Sequence, residues 1–133
     1  MKDFGFDFLK VEIILIVLVI MEVRYTSKKL QKCAENEKYA QKELGRDQAE
    51  KFLLRVGVLL DADSFENLRH VPGHFHELSG NRKGQWAFDL NQPYRLIVTP
   101  QTLPIPTDNN GKYIWHEIHD AVVVEIVNYH KEG

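Results

Sequence analysis

His76 opens the run His76-Glu77-Leu78-Ser79-Gly80-Asn81-Arg82-Lys83-Gly84-Gln85-Trp86, and Asn128-Tyr129-His130 closes the last apolar run of the chain. Two imidazoles, a phenol and nearby arginines are the residue types that RNA backbone cleavage needs without a metal. A base takes the proton of a 2′-hydroxyl that attacks its own phosphate. An acid protonates the leaving 5′ oxygen, and cations stabilise the added negative charge. Histidine suits both proton roles because its ordinary pKa, about 6.5, lies near working pH. Each motif stands at the edge of a strand-like run, so the two can meet across a sheet. The plainer reading is a pair of partly exposed histidines at strand ends.

The elements that must position these residues are legible from periodicity. Thr26 and Ser27 are candidate N-caps for a helical segment from Ser27 to Leu44, whose apolar stripe of Leu30, Cys33, Ala34, Ala40 and Leu44 stops at Gly45. Arg46 to about Leu60 is the clearest helix: Ala49, Phe52, Leu53, Val56 and Leu60 recur at helical period. The two segments should form an antiparallel hairpin. Asp63 and Glu66 read as a capping box for a short helix, and Pro72-Gly73 as a turn. Beyond the turn the period becomes two. His74 to Leu78, Gln85 to Leu90, Tyr94 to Thr99 and Ala121 to Tyr129 are strand-like, with a proline-bearing loop over 100–112. The expected class is α+β, an antiparallel sheet with an N-terminal helix hairpin packed on one face.

Composition narrows the function classes. The chain has 133 residues, 44% hydrophobic and 27% charged, which fits one globular domain. A formal charge of −2 gives no global basic field, so a nucleic-acid ligand would need a local patch. The lone Cys33 excludes an intrachain disulfide framework and suggests a reducing, cytoplasmic location. The nine-residue run from Ile13 to Met21 is too short to span a bilayer as a helix, which takes about 20 residues. A buried strand and a membrane anchor are alternatives. The favoured reading is that residues 1–20 are an apolar extension from a mis-assigned start, that the domain is 21–133, and that no membrane is involved.

The pattern from His76 to Trp86, followed by Tyr94-Arg95-Leu96-Ile97 and a last strand ending in Tyr129-His130, resembles the HigB-type "proteic killer" toxins of the RelE/ParE superfamily. The resemblance covers nearly everything from Met21 to His130. It implies a compact RelE-like sheet with N-terminal helices, and an endoribonuclease that cuts mRNA on the ribosome with no cofactor. It also implies neutralisation by a helix-turn-helix, HigA-like antitoxin. On this likeness His76 and His130 are the acid–base pair, Tyr129 stacks on a base or bonds the phosphate, and Arg82 and Arg95 hold the phosphate. Two departures stand out. Many relatives carry lysine where Ser79 stands and an acid where Asn128 stands, so charge stabilisation would pass to Arg82, Arg95 or Lys83. ParE-type members, which poison gyrase without cleavage, lack the paired histidine and tyrosine. A degenerate member that only binds its antitoxin is the remaining alternative.

Weaker signals are also present. His74 and His76 fall on one face of a strand and can chelate a metal with His130 as third ligand, but no metal is expected to be needed. Lys28, Lys29, Lys32, Arg46, Lys51 and Arg55 decorate the helices, where they can meet RNA phosphates or simply stay solvated.

Overall fold

A computed structural model describes residues 21–132; the expectations for residues 1–20 lie outside them. Strand β1 (Glu22–Tyr25) leads into helices α1 (Lys28–Glu35), α2 (Glu37–Leu44) and α3 (Arg46–Asp61). Strands β2 (His76–Glu77), β3 (Trp86–Asp89), β4 (Tyr94–Thr99) and β5 (Asp120–Asn128) follow, and a helical turn α4 (Tyr129–Glu132) comes last. The strands form one five-stranded sheet in the order β1-β5-β4-β3-β2. The α+β class is as expected, with one difference in the sheet. It is mixed rather than antiparallel, because β1 runs parallel to β5, Glu22 opposite Asp120 and Tyr25 opposite Val123. Three helices separate β1 from the other strands, which is the long crossover that a parallel pair needs.

The segment from Ser27 to Leu44 is two helices, not one. Asn36 is extended (φ −141°, ψ 108°), and ends α1 while its side chain accepts from the backbone N–H of Tyr39 at 2.9 Å. Asparagine competes for backbone groups in this way, which makes it a strong N-cap and a weak interior residue. Ser27 caps α1 as expected, accepting from the N–H of Leu30 at 3.1 Å. The predicted capping box is displaced by one residue: Asn67 accepts from the N–H of Ser64 at 3.0 Å and of Asp63 at 3.2 Å. The buried face of α3 carries Ala49, Phe52, Val56 and Leu59, while Leu60 is 45% exposed. Leu59 lies at i+3 from Val56, so the stripe continues one residue before the expected position.

The helices and one face of the sheet share the core. Cys33, Ala40, Phe52, Val56 and Leu59 meet Trp86, Phe88, Leu96, Val98, Ala121 and Val123. An aromatic cluster closes one end of it, with Phe65 edge-on to Trp86 at 5.0 Å and to Phe75 at 5.2 Å, and Trp115 edge-on to Trp86 at 5.8 Å. Each such side chain contributes about 1.5–3 kcal/mol by leaving water. The opposite face carries a small separate apolar patch of Ala87, Ile97 and Val127, and the helices do not cover it. Burial pushes the Cys33 thiol up from its ordinary value. Because its thiolate is the reactive form, a thiol reagent should label native Cys33 far more slowly than free cysteine and rapidly once denaturant is added. Labelling as fast as free cysteine before unfolding would contradict the packing of α1. Among the described residues no helix is long and apolar enough to cross a membrane.

Candidate functional site

The alternation of the strands decides which side chains share the helix-free face. His76 pairs with Ala87, Ala87 with Ile97 and Ile97 with Glu125. One step along, Asp89 pairs with Arg95 and Arg95 with Val127. Ala87, Ile97 and Val127 form the outer patch, so His76, Asp89, Arg95 and Glu125 stand on that same side. The β2–β3 register, continued past His76, sets His74 opposite Asp89.

A chain of contacts runs across this face. The His76 Nδ1 lies 2.6 Å from the carbonyl oxygen of His74, which makes Nδ1–H the donor, so Nε2 is the nitrogen that carries the lone pair when the ring is neutral. The two imidazoles stack at 4.2 Å between centroids. His74 Nδ1 meets Asp89 Oδ2 at 3.2 Å, and Asp89 Oδ1 lies 3.9 Å from Arg95 Nε. The Arg95 guanidinium sits over the Tyr129 ring at 4.1 Å, and Tyr129 is 4.7 Å from His130 between centroids. Such a cation over an aromatic face holds both groups in place. Arg82 joins from the turn after β2, donating to Gln85 Oε1 at 2.9 Å and pairing with Glu125 at 3.4 Å.

The end of β5 is shaped to present Tyr129 and His130. Asn128 Oδ1 accepts from the N–H of His130 at 3.1 Å, a cap that turns the chain out of the strand. The Tyr129 N–H donates to Pro93 O at 3.2 Å, and its hydroxyl donates to Gln92 Oε1. Tyr129 therefore starts the turn α4 rather than ending the strand, folded against the β3–β4 link.

The structure brings together His76, Arg82, Arg95, Tyr129 and His130 on one face, but not all in direct contact. No hydrogen bond or ring contact joins His76 to His130 among the described residues. The β2 backbone lies three strand spacings from β5, about 14 Å. Ser79 and Lys83 are elsewhere. They line a cavity of about 490 Å³ with Arg69, Glu77, Tyr113 and Trp115. Glu77 alternates to the face opposite His76 and accepts from Trp115 Nε1 at 2.6 Å. Lys83 thus does not reach the contact chain in this arrangement, and neither it nor Ser79 belongs to the cluster around Arg95.

Sequence reasoning missed three participants. Asp89 is the hinge between the His74–His76 pair and Arg95, while Glu125 on the same face pairs with Arg82. Gln92 anchors the Tyr129 hydroxyl. Arg55, read as a solvated helix charge, is buried, and its Nε donates to Asp89 O at 2.9 Å, fixing the strand end from the helix side. The expected chelate joins His74 and His76 to His130 as third group. The third group in reach is instead Asp89, because the antiparallel register sets it opposite His74. No family model matches the chain, and no curated protein matches it.

Proposed function

We propose that the chain is the toxin of a type II toxin–antitoxin pair, an endoribonuclease that cuts mRNA on the ribosome by metal-free acid–base chemistry. The supporting observation is the contact chain on the face opposite the helix core, which strings three imidazoles, the Arg95 guanidinium and a phenol along one side of the sheet, with Arg82 beside it. The 2′ oxygen bonds to phosphorus as the bond to the 5′ oxygen breaks. One histidine of the pair His76 and His130 receives the 2′ proton and the other delivers a proton to the 5′ oxygen. Arg95 and Arg82 offer fixed forks of donors to the phosphate oxygens, and the Tyr129 ring is a platform for a base. The attacking and leaving oxygens sit on one phosphorus, so the proposal requires the His76 and His130 side chains to converge from either side on a single phosphate held between them. The likeness to HigB-type toxins adds a helix-turn-helix antitoxin as the neutralising partner.

A translation reaction run with and without ribosomes, followed by mapping of mRNA 5′ ends, tests this. The expected result is new ends within codons only when ribosomes are present. Intact mRNA in both reactions, with folded protein, would remove the nuclease reading. A second reading rests on the pairing of both arginines with carboxylates of their own face, Arg82 with Glu125 and Arg95 with Asp89. Such a surface suits a non-catalytic module that engages an antitoxin or a gyrase-like target. Growth arrest with supercoiling loss and intact mRNA would select it.

A further inference from the structure

We infer that His74, His76 and Asp89 form a binding site for one borderline divalent transition-metal ion of the zinc class. Each residue offers one ligand atom, and these atoms all lie within 4.8 Å of one another. His74 Nδ1 and Asp89 Oδ2 are 3.2 Å apart. Two ligands bound at ~2.0 Å in tetrahedral geometry are separated by about 3.3 Å, so this pair already spans one edge of a site. His76 contributes Nε2, because its Nδ1 is committed to the carbonyl of His74. That outer hydrogen bond is the kind that fixes the tautomer and orientation of a metal-bound imidazole.

The backbone is bent to make this cluster. His74 has a φ of +51°, the left-handed region that a non-glycine residue adopts at a cost. Among the described residues it is the only non-glycine with positive φ. The carboxylate is held as well: the Asp89 N–H donates to Gly73 O at 2.8 Å, and its carbonyl accepts from buried Arg55. Asp89 is thus on backbone fixed at both its N–H and its carbonyl. The His74 side chain is 67% exposed, so its ring is free to tilt out of the stack with His76 and share an ion while Nδ1 stays beside Asp89. Arg95, 3.9 Å from the other carboxylate oxygen, opposes a cation and holds the affinity down. Three protein ligands leave a position open to solvent, and nitrogen with oxygen donors favours zinc, cobalt, nickel or copper over magnesium or calcium.

The ion takes the Nε2 lone pair of His76, so occupation removes that imidazole from proton transfer. This regulatory consequence alone rests on the nuclease reading; the site does not. Cobalt(II) titrated into the full chain under visible absorption is the test, with zinc added last to displace it. The expected result is one equivalent with the intense bands of a low-coordinate site, and at least a tenfold loss of affinity in His74→Asn and in Asp89→Asn. Asparagine tolerates the positive φ at position 74, and Asp89→Asn keeps the shape of the side chain while removing its charge. Thermal melts without metal should match wild type within a few degrees for at least one of the two. Absence of cobalt bands in wild type overturns the proposal. So does equal affinity in wild type and both variants, which would assign binding to other surface histidines such as His116 or His130.

Discussion

On the proposed nuclease reading, replacing His76 or His130 by alanine should lower ribosome-dependent mRNA cleavage by about 10²- to 10⁴-fold, the usual contribution of one general acid or base, and relieve growth arrest. A substrate with an activated 5′ leaving group separates the two roles, restoring cleavage to the variant that lacks the acid and not to the one that lacks the base. Folding is not the confounder here. His130 is exposed, and His76 is half-buried on a two-residue strand whose backbone pairing survives side-chain removal. Substitutions of this kind away from the core usually shift stability by no more than about 0.5 kcal/mol. Full toxicity of both variants, with melting unchanged, would end the proton-transfer assignment.

Gly73→Ala should destabilise the fold by about 2–4 kcal/mol, from strain at its backbone added to overpacking. Gly73 has a φ of +116°, and a β-carbon there would stand 2.7 Å from Arg55 Nε and 2.8 Å from Arg55 Cδ. Arg55 cannot swing away cheaply, because it is 9% exposed and its Nε is bonded to Asp89 O. Displacing it leaves a buried charge and a buried carbonyl unsatisfied. Gly57 is the control. It lies within α3, and a β-carbon added there would meet nothing within 4 Å, so Gly57→Ala should be neutral or stabilising by up to ~1 kcal/mol through helix propensity. A thermal midpoint more than about 8 °C lower in the first variant and unchanged or higher in the second is the expected outcome. Matching midpoints would mean that Arg55 does not pack on Gly73.

Local chemistry was readable wherever a short-range rule governs. Tyr94–Thr99 is a strand because its β-branched and aromatic residues alternate, and Arg46–Asp61 is a helix because its apolar residues recur at 3.6. The cap at Ser27 follows the same logic. What escaped depends on distant partners. Nothing near Arg55 announces that its acceptor is a carbonyl 34 residues on, and nothing in Glu22–Tyr25 announces a parallel partner. The break at Asn36 carries neither glycine nor proline, so only its side-chain bond to Tyr39 reveals it. For the site, the motifs named the histidines, the tyrosine and the arginines. Register was needed to show that Asp89 joins His74 to Arg95, and that Ser79 and Lys83 turn toward a different cavity.

The parallel seam between β1 and β5 also sets the order in which the protein can assemble. Thr26 Oγ1 donates to Val124 O, 98 residues on, and β1 has β5 as its only strand neighbour among the described residues. During synthesis the helices can collapse early, but β1 waits unpaired until nearly all the other described residues have been made. Such long-range pairing slows folding, because the chain must close a large loop before the contact repays it. Tyr129 and His130 follow directly on the same strand. A ribosome making this protein therefore carries helices and an open sheet edge, but no assembled histidine–tyrosine face, until it has translated almost the whole described chain.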